Sequence, residues 1–421
     1  MTIIALLIFL TVYLTLASGK VPRSILAIIG AMIMITLKII PQEKAFQYVD
    51  WNVIFLLIGM MIIISIIKRT GLLQYIAIKS AKMVRGEPLK ILFFLVLTTA
   101  FFSAFLDNVT TVIIMAPITI LIAVELGISP IPFLISEALA SNIGGTATLI
   151  GDPPNLMIGS AADLGFLTFL YHLTPAVIFM TLFLLPILKI FFRNSLKVSN
   201  ERKARIMEFD EKAAIQDPSL LKKSMGIFGL VIVGFFLQEP LHLEVATIAL
   251  IGAFLMLLVT RQSPFEIFQE IEWNSIFFFI GFFILVGGLV EVGIIEKTAK
   301  FLVKVTRGHF HLTIFTILWG SGIVSAVLDN IPTVATLIPI IKEVGIHFAE
   351  DITPLWWALA LGACLGGNGT LTGAAANVVV ADVAERNGFP ISFKEFTRYG
   401  AIVTFSNLAF SSLYLWLRYL V

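Results

Sequence analysis

The sequence predicts an all-α polytopic membrane protein, built as an inverted-topology repeat. About ten transmembrane helices are expected, with two re-entrant helical hairpins and two broken helices. Three observations carry that expectation. The 421 residues are 58% hydrophobic and 13% charged, with mean hydropathy +0.98, against about 25% charged in a soluble domain. The sequence matches itself at an offset of 222 residues. And its apolar segments are interrupted at matched places by Asp-Asn pairs and by clusters of Gly, Pro, Asn and Thr.

Charged residues fall in islands at 68–90, 193–223, 261–272, 291–311 and 382–398. Between them lie apolar runs of about 15–20 residues, the length of a helix that spans or nearly spans a bilayer. They are too long and too evenly apolar for barrel strands, which alternate. With every backbone polar group to be satisfied inside lipid, a helical bundle is the remaining solution. The single cysteine, Cys364, excludes an internal disulfide and a multi-thiolate metal site. The five His residues show no metal-ligand spacing, and no basic cluster with interleaved aromatics points to nucleic acid. The apolar run at 3–16 followed by Ala17-Ser18-Gly19 resembles a signal peptide but lacks a positive n-region.

The offset supplies the stronger argument. Asp50-Trp51-Asn52 falls on Glu272-Trp273-Asn274, Gly59 on Gly281, Gly71 on Gly293 and Arg85-Gly86 on Arg307-Gly308. SAFLDNVTT (103–111) falls on SAVLDNIPT (325–333). Pro117 falls on Pro339, Pro132 on Pro354, Gly144-Gly145 on Gly366-Gly367, Thr148 on Thr370, Gly151 on Gly373 and Asn155 on Asn377. Gly30-Ala31 falls on Gly252-Ala253, and the 3–16 run on 225–238, so the first helix has an internal partner. Two repeats follow, 1–193 and 223–421, joined by a linker at 194–222.

Within the first repeat, helices are expected near 2–17, 22–40 and 52–68, with an amphipathic surface stretch at 70–84. Two apolar arms of about 16 residues flank Asp107-Asn108. They are either two spanning helices joined by a surface turn or a re-entrant hairpin. The shortness of the arms and the Ser, Thr and Asn crowded at the tip favour the hairpin, because irregular backbone at depth is tolerated where it lines a cavity. A segment at 131–160, broken at GGTATLIGDPPN (144–155), and a last helix at 173–192 complete the repeat. Hairpins that do not cross leave five crossings per repeat, an odd number, so the two repeats are inverted. Most of the 29 Lys and Arg residues then fall on the side of 18–23, 68–90, 189–223, 261–272 and 382–398. The positive-inside rule makes that side cytoplasmic, with the linker there and both termini outside.

Ionisable residues inside the apolar segments are few: Asp107, Asp329, Glu137 and Asp152. Each costs roughly 2.5–3.5 kcal/mol to insert, so function is the default reading, as a cation ligand or proton carrier. Asp107 and Asp329 also stand where a capping residue would start the second arm of a hairpin. The breaks free backbone carbonyls and N–H groups that can face ions at the membrane midplane. Asn142, Thr146, Thr148 and Asn155 add neutral donors and acceptors in one break, and Asn368, Thr370, Thr372 and Asn377 in the other. The repeats differ where Asp152-Pro153-Pro154 becomes Ala374-Ala375-Ala376 and Glu137 becomes Leu359, so the first carries extra acid. No Arg or Lys lies in these motifs.

The strings LDNVTT, SNIGGTATLIGDPPN, LDNIPT and GACLGGNGTLTGAAANVV resemble the ion transporter superfamily in its ArsB/NhaD branch. The similarity is closest to the melanosomal P protein group and its prokaryotic arsenite-permease-like or citrate-transporter-like relatives, and it covers nearly the whole chain. It implies inverted repeats whose hairpin tips meet helix breaks, alternating access, and often a homodimer. It also implies one half-site of Asp107, Asn108, Thr110, Asn142, Gly144 and Asn155, and another of Asp329, Asn330, Thr333, Gly367, Asn368 and Asn377. Na⁺ sites would lie at Asp107/Asn155 and Asp329/Asn377. GDPPN and GGNGT are absent from the arsenite pumps themselves, and the Ser-Asn-Thr signatures of dicarboxylate carriers are absent from this chain.

The expected function is a secondary-active transporter of a small anion or oxyanion, arsenite-like or carboxylate, coupled to Na⁺ or H⁺. A Na⁺/H⁺ antiporter of NhaD type is the alternative, and an anion channel on the same scaffold is a third. No cofactor and no enzymatic activity are expected: metal triad, nucleophile elbow and cofactor loop are all missing, and Gly367-Asn368-Gly369 reads as a helix breaker rather than a phosphate loop.

Overall fold

The computed structural model describes residues 1–18 and 21–420. Gly19 and Lys20, counted above in the first loop, lie outside the described residues. The described chain is helical and contains no strand. The first half runs α1 (Thr2–Ser18), α2 (Arg23–Thr36), α3 (Gln42–Gln47), α4 (Trp51–Lys68), α5 (Leu72–Met83), α6 (Pro88–Leu106), α7 (Asn108–Leu126), α8 (Ile131–Gly145), α9 (Pro153–Ala162) and α10 (Phe166–Phe192). A short helix, α11 (Asn200–Ile206), lies in the linker. The second half runs α12 (Pro218–Phe236), α13 (Gln238–Leu241), α14 (Val245–Thr260), α15 (Pro264–Gln269), α16 (Trp273–Glu291), α17 (Ile294–Val305) and α18 (Phe310–Leu328). It ends with α19 (Asn330–Gly345), α20 (Thr353–Gly366), α21 (Ala375–Arg386) and α22 (Phe393–Tyr419).

Local chemistry sets the boundaries. Asp50 starts α4 by accepting from the Val53 amide at 3.2 Å. Pro88 sits in the first turn of α6, where its missing N–H costs nothing. Gly127 ends α7 at φ 69°, a left-handed position that suits glycine. Eight helices are long and apolar enough to cross a membrane, and α1, α2 and α14 are shorter apolar helices. Large side chains such as Ile190, Leu258 and Phe405 stand 72%, 76% and 64% exposed on the bundle's outside. A continuous apolar exterior of that kind is a lipid-facing surface, and the chain is an integral membrane protein.

Packing exchanges partners between the halves. α2 packs on α16, and α4 on α14. At the crossings a Cβ on Gly59 would stand 2.9 Å from the Ala249 carbonyl carbon, and one on Gly281 would stand 2.6 Å from that of Ala27. Those two contacts interchange under the 222-residue offset. Within each half α6 packs on α8, and α18 on α20. The second arm of each hairpin then meets the short helix of the opposite half, α7 against α21 and α19 against α9.

The linker grips the base of the first hairpin. Lys203 pairs with Glu87 at 2.7 Å, Arg205 with Glu125 at 3.6 Å, and the Arg202 guanidinium lies against Gly127. Lys82 pairs with Glu211 at 2.5 Å and holds that carboxyl below the usual glutamate range. Gly71, the residue before α5, packs against Ala214.

Four boundaries differ from the sequence reading. The hairpin arms are longer, 19 residues in α6, α7 and α18. At about 1.5 Å per residue such an arm reaches roughly 28 Å, so arm length gives no argument against crossing. α10 begins at Phe166 rather than near 173, which draws His172 out of a loop and into a helix. The linker ends at Asp217, whose carboxylate caps α12 through the Ser219 and Leu220 amides. Short helices α3 and α15, read as loops, lead into α4 and α16.

Candidate ion-binding site

The two Asp-Asn junctions form the same structure twice. Asp107 has φ 76° and ψ 156°, and Asp329 has φ 96° and ψ 146°. L-residues rarely adopt such backbone, at a cost of about 1–3 kcal/mol each. Each aspartate caps the arm that follows it. Asp107 Oδ1 accepts from the Thr110 amide at 2.8 Å, and Asp329 Oδ1 from the Ile331 amide at 3.0 Å. The carbonyls of the same two residues accept from Thr111 and Thr333 hydroxyls, both at 2.7 Å.

The helix breaks are folded into paired knots. Gly144 lies so close to α6 that a Cβ there would stand 2.1 Å from the Ala100 carbonyl oxygen. Gly366 stands likewise 2.4 Å from Gly322. Ser103 donates to the Ser141 carbonyl at 2.7 Å, and Ser325 to the Ala363 carbonyl at 2.6 Å. Thr148 donates to the Ala104 carbonyl and Thr370 to that of Ala326. Asn155 closes the first loop by donating to the Thr148 carbonyl at 2.8 Å, and Asn377 the second by donating to Thr370 at 3.0 Å and Gly367 at 2.8 Å. The halves then join at Asn142, whose Nδ2 donates to Asn368 Oδ1 at 2.8 Å and Asn377 Oδ1 at 2.9 Å. The contact related to the second bond by the offset is Cys364 Sγ donating to Asn155 Oδ1 at 3.5 Å.

Beside this knot is a cavity of about 530 Å³. Four helices begin on its wall, at Asn108, Pro153, Asn330 and Ala375. Each N-terminus presents the positive end of a helix dipole, although Pro153 and Pro154 leave α9 without N–H groups in its first two positions and the Ile331 amide of α19 is taken by Asp329. Asp107 and Asp152 stand on the same wall, and Asn330 Nδ2 donates to Asp152 Oδ2 at 2.9 Å. Asp152 Oδ1, buried, has no partner among the described residues. Lys68, Glu270 and Glu272 line the mouth. Lys68 adjoins Arg69, which pairs with Glu270 at 2.6 Å and lies two residues before the Gly71 that packs on the linker. The cavity therefore opens on the linker side. A second pocket of about 620 Å³ lies beyond Leu156, with Asp163, Glu239 and Glu244 on it. Leu156, 3% exposed, lines both.

The expected residues thus divide. Asp107, Asn108, Thr110, Asp152 and Asn330 face the cavity. Asn142, Gly144, Thr146, Thr148, Asn155, Gly367, Asn368, Thr370 and Asn377 build the knot behind it. Asp329 lines a neighbouring pocket of about 480 Å³. Thr333 is turned onto the Asp329 carbonyl. Glu137 lies away from the cavity on α8, accepting from Thr119 at 2.6 Å, with its other oxygen unpartnered among the described residues. No hydrogen bond joins Asp107 to Asn155 or Asp329 to Asn377 among the described residues; both amides hold their own loops.

The citrate transporter profile matches residues 13–362, which include the cavity's wall except α21. The chain belongs to the citrate transporter family. Among its relatives is the "46 kDa membrane protein" of Mycobacterium leprae (strain TN), 44% identical over 429 residues and the whole of both chains. The human P protein is 33% identical over 479 residues, 94% of this chain and 56% of that one. Two solved transporters share the fold. YdaH of Alcanivorax borkumensis has a TM-score of 0.58 at 13% identity, over 89% of this chain and 86% of that one. MtrF of Neisseria gonorrhoeae has 0.61 at 12%, over 98% and 94%. As a family member the chain is a secondary transporter.

Three wall features of this family member escaped the sequence reading. Arg23 comes from the start of α2 and pairs with Asp329 at 2.5 Å. Ser24 beside it donates to Asn274 at 3.1 Å. Glu272 reaches the wall although its offset partner, Asp50, is a helix cap. One signal was available for Arg23: its offset partner is Val245, a mismatch of the same kind that flagged Asp152 against Ala374.

Proposed function

We propose that the protein carries a small anion, a carboxylate or oxyanion, by alternating access and couples it to Na⁺ or H⁺. The observation that supports this most is the meeting of four helix N-termini with two carboxylates, Asp107 and Asp152, in one cavity. N-termini favour the anion. The carboxylates favour a cation or proton, and so give each charge its own ligands. A volume of about 530 Å³ falls in the ordinary range of about 300–1,000 Å³ for small-molecule sites. Citrate is the first anion to try, given the family.

The halves 1–193 and 223–421 act in this reading as inverted repeats, each with a re-entrant hairpin. The linker side is cytoplasmic and both termini lie outside. Support comes from depth: α9, running on from the break that the first tip abuts, is only 10 residues, about 15 Å. A cysteine at Thr110, with the single native Cys364 buried, provides a test. Thr110→Cys should react with a membrane-impermeant thiol reagent from the linker side alone, and more slowly with substrate present. Equal reaction from the other side would defeat the re-entrant reading.

Antiport of Na⁺ against H⁺ draws on the unpartnered oxygens of Asp152 and Glu137. Proteoliposome flux decides between the readings. Citrate, phosphate and arsenite are offered in turn under an imposed Na⁺ or pH gradient. Anion uptake that follows a cation gradient supports the proposal. A Na⁺-driven pH change that needs no anion supports antiport instead.

A further inference from the structure

Arg23 is the one basic side chain that meets a hairpin tip among the described residues. Its Nη1 lies 2.5 Å from Asp329 Oδ2. Asp329 is closed in, its side chain 4% exposed, whereas that of Arg23 is 39% exposed. Arg23 also lines both the Asp107 cavity and the adjacent Asp329 pocket, so its guanidinium stands in the wall between them. The matching place at the start of α14 is Val245. Asp107, strained and capping its arm as Asp329 does, pairs with no such cation among the described residues. Two tips alike in backbone, each with its aspartate capping the next arm, therefore differ in charge among the described residues: one is neutralised from across the molecule and the other is not.

A guanidinium has five N–H donors in a planar fork that matches a carboxylate or oxyanion edge. The bond to Asp329 uses Nη1 alone, and the same side chain lines a cavity edged by four helix N-termini. An anion entering from the linker side meets this group and competes with Asp329 for it. An anion that wins leaves Asp329 as an unpaired carboxylate in a closed pocket, a costly state that a bound cation or proton relieves. Asp329 is the closed-in member of the pair, so leaving it unpaired is far more costly than exchanging its partner, which is why the exchange couples the two charges.

We propose that Arg23 is the anion-recognising residue of this site and that it exchanges Asp329 for the substrate. Asp329 becomes available to a cation or proton only once the anion holds Arg23. This rests on the anion-carrier reading above. It assigns the substrate class as anions with a carboxylate-like edge and makes Asp329, unlike Asp107, a conditional cation ligand.

The test is equilibrium binding of radiolabelled citrate, phosphate and sulfate to the purified full-length protein, for wild type, Arg23→Gln, Arg23→Lys and Asp329→Asn. A lost charge-assisted bond weakens binding by about tenfold or more. Arg23→Gln should show that loss for whichever anion the wild type binds, and Arg23→Lys a smaller one, because lysine keeps the charge without the fork. Asp329→Asn should do the opposite and tighten anion binding, since the internal competitor is gone. A purely structural clamp makes Arg23→Gln and Asp329→Asn fail alike, because each breaks the same contact. Parallel weakening, or no change in Arg23→Gln, overturns the exchange and leaves the anion carrier standing. If Arg23→Gln does not fold, Asp329→Asn and Arg23→Lys decide by the same opposed signs. Failure of every anion to bind the wild type overturns the carrier reading and this proposal with it.

Discussion

Asp107→Asn is expected to reduce cation-coupled flux by about 10- to 100-fold while leaving the protein folded. The substitution separates two jobs of one side chain. Asp107 Oδ1 caps the Thr110 amide at 2.8 Å, and asparagine caps a helix about as well as aspartate. Asparagine also tolerates positive φ better than most residues, so the tip at φ 76° survives. The negative charge does not. A charged group is worth about 1.5–3 kcal/mol to a partner it bonds, and each 1.4 kcal/mol is about tenfold. Asp107→Ala would remove cap and charge together and cost about 1 kcal/mol of stability in addition. The measurement is initial flux in proteoliposomes at several Na⁺ and H⁺ concentrations, beside a thermal melt. Flux within twofold of wild type would remove Asp107 from the coupling site. A lowered melting temperature would mean that the carboxylate is structural.

What the sequence made legible was whatever repeats locally. The offset of 222 residues predicted two junctions and two breaks, and both pairs form alike down to their threonine and asparagine bonds, the aspartate caps differing only because Pro332 stands where Thr110 offers its amide. Buried carboxylates were legible for the same reason: an acid in an apolar run stands out wherever it folds. Arg23 was not, because an arginine at a loop edge is ordinary, and its partner lies 306 positions away. Nor could spacing show that Thr146, Thr148, Asn155 and Asn377 hold backbone carbonyls. Threonine and asparagine suit a loop closure as well as an ion, and only the folded loop chooses between them. Departures from symmetry carry the rest. Asp152 against Ala374 and Arg23 against Val245 give the two half-sites unequal charge on a nearly equal frame. In the proposed alternating access, a symmetric frame supplies two equivalent end states, and unequal charge lets ions bias one against the other.

The largest structural effect is expected from one methyl group. Gly144→Ala puts a Cβ 2.1 Å from the Ala100 carbonyl oxygen and 2.5 Å from its Cα. Both atoms are helix backbone, so no side chain can turn aside. An ordinary contact lies near 3.5 Å, and α6 and α8 must part by about 1 Å or more. Overpacking of this kind costs about 1–3 kcal/mol. Moving α6 also moves Asp107 at its end, and a misplacement of about 1 Å can lower a rate by about 100-fold. Gly366→Ala should behave alike, because its Cβ would lie 2.4 Å from the Gly322 carbonyl oxygen. Gly320→Ala is the control. It lies in the interior of α18, beside Gly322's own helix turn, with nothing within 4 Å of the added methyl. Alanine there should be neutral or stabilising by up to about 1 kcal/mol. Melting temperature and flux measured on all three variants separate close packing from helix propensity. Gly144→Ala or Gly366→Ala as well tolerated as Gly320→Ala would mean that the tips are not held by the helix contacts beneath them. Transport would then depend on the Asn142 junction alone to keep the two half-sites in register.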